Sequence, residues 1–398
     1  MKNFDAILWK DFEKKGLKSY SFDFNPDLDD SICILHTSGT TGNPKGVVLT
    51  NRNFLEMALQ VSNGGLIYKK GDVFLSQVPP FLAYNVLSAT NNPLSMGLQI
   101  TMLPDYNPEK FAENILKYKP QHVIAGPADW SSFLTCDKLK GKKLDFLSSM
   151  ISGSDKIDEE TKKKINNILH EHGCKNEILE GYGMTEIGAA AVMNVPHHNV
   201  PNSVGIPLRN VNLCIWDNDS KSEVGYGVEG EICLSGPTVM KEYFNMDKET
   251  KMLKQVHEDG TTWIHTGDIG YLDEKGNLFL KGRIKRVIVR HDGIKISPYD
   301  IEKVLNANEN VLSCCVVGID NEELGYGSIP IANIVLKNKE LEDVTIKELY
   351  SSCKKELGNK YQPNDIIALD ELPLTDVGKV DYRKIQEMDK NLKKVKRR

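Results

Sequence analysis

The sequence contains no Cys-x-x-Cys pair. Its eight cysteines stand at positions 33, 136, 174, 214, 233, 314, 315 and 353, mostly inside apolar runs, so their spacing suggests neither a zinc site nor a disulfide framework and fits a reducing cytoplasm. The nine histidines form no recognisable metal-ligand motif, and the neighbours His197 and His198 fall in a polar loop, so no metal cage is expected. Long apolar runs are missing too. No stretch approaches the roughly 18 residues of a membrane span, and charges break the opening MKNFDAILWKDFEKKG too often for a signal peptide, so a soluble protein is expected. Fifty Lys and Arg against 55 Asp and Glu leave a net charge of −5 spread along the chain, which excludes a broad nucleic-acid surface. The one basic run, 390–398, follows the last apolar pattern and reads as a solvated tail.

A length of 398 residues, at about 100 to 200 per domain, predicts two or three domains. From Ser31 to Glu180 short apolar runs alternate with segments of helical period: SICIL, then NRNFLEMALQV; LQITML, then NPEKFAENILKY; HVIAG; FLSSMIS, then DEETKKKINNILHEH; and NEILEGYG. That rhythm predicts α/β layers. Between Asn210 and Gly282 the runs turn β-like, as in NLCIW and GEICLSG, and YLDEKGNLFLKG suits a hairpin centred on Lys275-Gly276-Asn277. After Arg283 comes VIVRHDGIKI, then Ser297-Pro298-Tyr299-Asp300, a helix start with Ser as N-cap, Pro in the first turn and an acid at the third position. The expected fold class is α/β: a large multi-layer domain over 1–283 with a small β subdomain at about 205–282, then a smaller α+β domain over 284–398. The boundary is expected near Arg283 to Lys285.

The strand SICILH, which reads as buried, runs directly into Thr37-Ser38-Gly39-Thr40-Thr41-Gly42-Asn43-Pro44-Lys45-Gly46. Four hydroxyls, three glycines and one cation suit a polyphosphate: glycines let backbone N–H groups approach phosphate oxygens, hydroxyls add neutral donors, and Lys45 supplies charge. The alternative is a Thr/Gly-rich surface turn. The spacing is not Walker A, which needs Gly-Lys-Ser/Thr, and the GTTG does not make a GxGxxG dinucleotide fingerprint.

TSGTTGNPKG resembles the phosphate-binding signature of the adenylate-forming (AMP-binding) superfamily, which contains acyl-CoA synthetases, peptide-synthetase adenylation domains and luciferases. Later motifs follow in that family's order. Gly181 to Glu186 resembles YGxTE, Gly230 to Asn245 the next signature, Thr266-Gly267-Asp268 the TGD, the segment from Gly282 the hinge region, and Pro373 to Lys379 the C-terminal lysine motif. The resemblance implies an ATP-dependent carboxylate:CoA ligase acting through acyl-AMP and pyrophosphate, with a mobile C-terminal lid. Alternatives are an enzyme loading an acyl carrier protein, or a weak or inactive nucleotide-binding remnant.

The same resemblance assigns roles. Lys379 would bridge the carboxylate and the α-phosphate of ATP, Glu186 would hold Mg²⁺, and Thr185 would lie near the α-phosphate. Anion meets polyanion in that reaction, and one pair of unit charges at 4 Å costs about 4 kcal/mol at a dielectric near 20, so cations are required. Tyr182 would offer its ring to adenine, with Gly153-Ser154-Asp155 along the other edge, although a core role for Tyr182 remains open. Asp268 would accept both ribose hydroxyls, or else form a plain salt bridge, and Arg283 would add a contact to ribose or phosphate. Lys285 falls at the hinge position, and Gly293 would line the pantetheine channel of coenzyme A unless it is a plain turn glycine.

The acyl pocket, by resemblance, is walled by Pro80-Phe81-Leu82-Ala83-Tyr84, by Gly126 to Trp130, and by Gly188 to Ala191. No acid stands where amino-acid-activating relatives hold an ammonium, which favours an uncharged fatty or aryl acid. Leu82 occupies a spot where many acyl-CoA ligases carry His. Only 36 residues precede Thr37, fewer than in relatives, and an uncovered sheet face would favour poor solubility or homo-oligomers.

Overall fold

The computed structural model describes residues 14, 27–37, 44–103, 105–320, 325–375 and 379–396. Five parallel strands, in spatial order Gln99–Met102, Val73–Ser76, His122–Ala125, Ser149–Ser152 and Ile178–Tyr182, form the centre, and the short antiparallel strands Val192–Met193 and Ile206–Pro207 extend one side. His122–Ala125 is buried at every position, as a parallel strand covered on both faces must be. Phe111 and Ile115 from the helix Phe111–Tyr118, and Ile165 and Leu169 from Glu159–Glu171, pack with Leu75, Val123 and Met150 into one core. Asp158 caps Glu159–Glu171 by accepting the Thr161 N–H at 2.9 Å, a contact of a kind worth about 1 kcal/mol.

One expectation fails here. Ser31–His36 does not join the parallel sheet; it pairs antiparallel with Gly46–Thr50, which pairs in turn with Glu242–Tyr243. Among the described residues it is an edge strand, with Ile32 and Ile34 exposed and only Leu35 buried. Of the apolar run read as a buried strand, only Leu35, with Cys33 against it, reaches a core among the described residues.

The β subdomain is antiparallel, in the order Ser222–Glu223, Asn212–Asp217, Gly230–Ser235, Thr262–Leu272, Lys254–Val256, with Leu278–Arg283 also paired to Thr262–Leu272. One face carries Ile215, Ile232 and Leu234 into a core shared with Leu179 and Val192 of the main sheet. The expected hairpin turn forms: Asp273 Oδ1 accepts the N–H groups of Lys275 and Asn277 at 2.9 and 2.8 Å, and Gly276 takes φ +79°.

After Arg283 a short 3₁₀ turn, Ile284–Arg286, leads to the C-terminal layer. There Val311–Asp320 and Ser328–Leu336 pair antiparallel, Asp365–Leu369 adds a parallel strand, and the helices Pro298–Asn306 and Glu342–Leu357 supply Ile301, Leu305 and Leu349 to its core. Ser297 precedes the first of these helices as expected, but its hydroxyl donates to the carbonyl of Lys281 at 3.3 Å and makes no cap bond. That helix therefore starts from its Pro298 and is tied to the end of the β subdomain. No described helix is long and apolar enough to cross a membrane.

Candidate active site

The parallel strand Ile178–Tyr182 delivers the segment Gly181–Glu186 to the carboxyl edge of the sheet, where ligands of open α/β sheets bind. A Cβ at Gly183 would lie 2.2 Å from the carbonyl oxygen of Ala189, so only glycine lets the chain fold back tightly enough to bring Glu186 under the strand end. Glu186 is buried, and its Oε1 accepts the Tyr243 hydroxyl at 2.5 Å. Burial and the Glu186 carboxylate push the Tyr243 phenol well above its ordinary range. Tyr243 stands opposite Val47 in the small sheet, and Lys45 Nζ sits 4.4 Å over its ring centroid. One tyrosine thus links the cation of the glycine-rich loop to the acid of the Gly181–Glu186 motif.

The stem of that loop is closed by Thr37 N–H donating to the Lys45 carbonyl at 2.9 Å and Lys45 N–H donating to Thr37 Oγ1 at 3.3 Å. Ser38, Gly39, Thr40, Thr41 and Gly42 lie outside the described residues. On the opposite wall, Asp268 is a register partner of Arg283, whose Nε lies 2.9 Å from Oδ1, while the Tyr182 hydroxyl donates to Oδ2 at 2.8 Å. Burial raises the Asp268 carboxyl above its ordinary value, and Arg283 opposes that rise. The same burial, with the Asp268 carboxylate alongside, raises the Tyr182 phenol.

Lys379 enters from the C-terminal layer. Thr375 N–H donates to the Lys379 carbonyl at 2.7 Å and Lys379 N–H donates to Thr375 Oγ1 at 3.2 Å, so the two residues pinch a tight loop whose tip, 376–378, is undescribed. Burial lowers the Lys379 ammonium, and the carboxylates of Asp155 and Asp268 pull it back up. Lys379, Thr37, Lys45, Tyr182, Thr185, Glu186, Asp268, Arg283 and the 3₁₀-turn residue Lys285 all line one open cavity of about 1710 Å³ between the two layers.

Gly153 and Ser154 also line it, and a Cβ at Gly153 would come 2.7 Å from the Tyr84 hydroxyl, so Tyr84 lies directly against this loop. That hydroxyl is buried and makes no hydrogen bond among the described residues. Leu82, Ala83, Ala189 and Ala190 join Tyr84 on the apolar part of the wall.

Three residues expected on the acyl wall sit elsewhere. Trp130 is fully buried in the main core with its ring edge-on to Phe111 at 5.1 Å, because the short helix Pro127–Ser131 turns that side inward. Phe81 is 61% exposed, ahead of the π-helical turn Tyr84–Asn91 whose inner side supplies the wall. Gly188 ends the turn Thr185–Ile187 at φ +73°, packed towards Thr238 and Leu87. Gly293 lies in the hairpin between Ile288–Val289 and Lys295–Ile296 at φ +79°, with open space around it and outside the cavity lining.

Two contacts gave no sequence signal. Tyr243 falls inside a quoted motif, yet nothing in its spacing reveals a link to Lys45. Lys156, beside the Gly153 loop, places Nζ 4.3 Å over the ring of Tyr299 and donates to its hydroxyl, joining the main domain to the C-terminal layer.

Comparison with known proteins gives the following. A family model described as AMP-binding enzyme matches residues 5–244, and one described as AMP-binding enzyme C-terminal domain matches 300–379. A long-chain-fatty-acid–CoA ligase of Bacillus subtilis is 30% identical over 364 residues, covering 91% of this chain and 62% of its own length. A 4-coumarate–CoA ligase of Humulus lupulus is 29% identical over 365 residues, 90% of this chain and 64% of its own. The chain therefore spans somewhat under two thirds of the length of these curated relatives. Among solved structures, ATP-bound MatB from Rhodopseudomonas palustris superposes with a TM-score of 0.83 at 26% identity, over 96% of this chain and 73% of that one.

Proposed function

The chain belongs to the AMP-binding enzyme family, and from that premise we propose that it is an AMP-forming acid–thiol ligase that joins an uncharged carboxylic acid to coenzyme A. Its relatives are CoA ligases and other adenylating enzymes. In the first half-reaction a carboxylate oxygen attacks the α-phosphorus of ATP, the bond to pyrophosphate breaks, and acyl-AMP forms. In the second, a thiol sulfur attacks the acyl carbon, AMP leaves, and the thiol proton passes to solvent.

Lys379 supplies the cation that lets two anions meet, and a group of this kind typically carries about 10² to 10³ of the rate. Asp268 receives the ribose hydroxyls, Tyr182 and Arg283 hold its carboxylate, and Lys45 with Thr37 meets the outer phosphates. Glu186, whose Oε1 accepts the Tyr243 hydroxyl, would hold Mg²⁺ through a hard carboxylate oxygen, and the ion would supply neutralising charge to the phosphates. The apolar wall of Leu82, Ala83, Tyr84, Ala189 and Ala190 supports a fatty or aryl acyl group over an amino acid. Lys285, at the turn joining the layers, is the residue about which the C-terminal layer would swing, bringing the Gly293 hairpin towards the thiol.

The observation that carries this reading is the position of Lys379, from the C-terminal layer, in one cavity with Lys45, Glu186 and Asp268. The test is carboxylate-dependent exchange of labelled pyrophosphate into ATP across acids of graded chain length, followed by thioester formation with free coenzyme A against a holo carrier protein. No exchange with any acid would remove the reading.

A further inference from the structure

The outer face of the β subdomain is neither solvated nor apolar in the ordinary way. Antiparallel strands alternate their side chains, and here the inward set includes Ile215, Ile232 and Leu234. On the other face Cys214 is the register partner of Cys233, and Cys233 is the register partner of His265, so three metal-ligating side chains stand in a row across three neighbouring strands. Cys214, Cys233 and His265 are all buried. His257, from the end of the Lys254–Val256 strand, folds over this row and brings its Nε2 within 3.0 Å of the His265 Nε2. The donor atoms of Cys233, His257 and His265 lie within 4.8 Å of one another.

The surroundings favour the ligand form of each group. Glu231 Oε2 lies 2.9 Å from His265 Nδ1, so with that nitrogen protonated the other, Nε2, carries a lone pair aimed at the cluster. Glu231 is itself held by Asn218 and by the Gly267 N–H, both at 2.9 Å. His257 is clamped between two indoles, stacked on Trp216 at 3.9 Å and on Trp263 at 5.4 Å, which fixes its ring plane. Carboxylate, imidazole, and converging imidazole and thiol donors form the arrangement that holds a borderline-soft divalent ion.

We propose that Cys233, His257 and His265 bind one Zn²⁺ ion on the outer face of the β subdomain, next to the stretch of cavity wall that His265 and Glu231 line, with the Cys214 thiol beside the fourth position. The spacing of these residues gave no such signal, because the site is built by strand register and not by a local motif. The ion would pin the Val256–Thr262 turn to the sheet. Through Glu231 and the Gly267 N–H it would also steady the segment that presents Asp268 to the cavity.

The test uses the whole 398-residue chain stripped with a chelator, desalted, kept reduced so that Cys214 and Cys233 stay thiols, and titrated with Co²⁺ as a spectroscopic probe. Expected are saturation at one equivalent, a thiolate-to-cobalt charge-transfer band, strong four-coordinate ligand-field bands, quenching of tryptophan fluorescence in step, and displacement by one equivalent of Zn²⁺. Cys233→Ser should remove the charge-transfer band. His257→Gln, a change at a half-buried turn position that leaves the sheet intact, should weaken binding by more than the about 10- to 100-fold that loss of an outer partner costs. Zn²⁺ should raise the melting temperature of the wild type and not of the His257 variant. Absence of a saturable cobalt spectrum in the reduced wild type, or an unchanged spectrum and stoichiometry in folded His257→Gln, would overturn the proposal. Neither readout depends on ligase activity.

Discussion

The Tyr182 hydroxyl donates a 2.8 Å hydrogen bond to Oδ2 of Asp268, the carboxylate whose Oδ1 is paired to Arg283. Both oxygens are thus oriented before any ribose arrives. Hydrogen bonds to charged groups contribute about 1.5–3 kcal/mol, so Tyr182→Phe should lower kcat/KM for ATP by roughly 10- to 100-fold while keeping the ring face. Initial rates at varied ATP check this. An unchanged value would mean that the bond orients nothing the reaction uses.

Tyr243→Phe removes the hydroxyl that holds Glu186 Oε1 but keeps the ring under Lys45. Outer partners of metal-binding carboxylates are typically worth about 10- to 100-fold in metal affinity, so the variant should need correspondingly more Mg²⁺ for half-maximal adenylation. A Mg²⁺ titration of the exchange rate gives the comparison. The Lys45 contact should keep the KM for ATP at saturating Mg²⁺ near the wild-type value.

Lys156 and Tyr299 join the main domain to the C-terminal layer in the orientation that places Lys379 in the cavity. Tyr299→Ala should therefore slow acyl-AMP formation by a few-fold and spare thioester formation from supplied acyl-AMP, because only the first step needs this orientation. Measuring both half-reactions separately distinguishes this from general damage, which would slow both.

Asp129 makes stability depend on pH in a defined direction. It is 1% exposed, and burial raises its carboxyl from 3.8 to about 6 against the opposing hydrogen bonds from Gly126 N–H and Gln77. The protonated form is the one the fold favours. Its contribution is fully present below the unfolded value, falls as pH rises towards 6, and is gone above it. Relative to Asp129→Asn, the wild type should lose about 3 kcal/mol between pH 4 and pH 7, at 1.36 kcal/mol for each pH unit separating the folded and unfolded values. Denaturant unfolding of both proteins at several pH values tests it, and parallel curves would contradict it.

Four of the five parallel strands were legible as apolar runs, and His122–Ala125 and Ile178–Tyr182 fall within them, whereas Val73–Ser76 was not read. Ser31–His36 was not, because a short apolar run does not say which sheet it joins or whether its outer face is covered. Lys45, Glu186, Asp268 and Lys379 were singled out by motif, and they do share one cavity. Trp130 was misplaced because a bulky aromatic in a motif reads equally as wall or as core, and only the facing of a five-residue helix decides. Tyr243 and the Cys233–His257–His265 cluster depend on strand register between distant segments, which local spacing does not encode.

The most direct measurement compares wild type and Lys379→Ala in carboxylate-dependent exchange of labelled pyrophosphate into ATP, alongside thioester formation from supplied acyl-AMP. The account predicts exchange in the wild type, a fall of about 10² to 10³ in the variant, and little change in the second half-reaction. Equal exchange in the two proteins, or equal losses in both half-reactions, would contradict it.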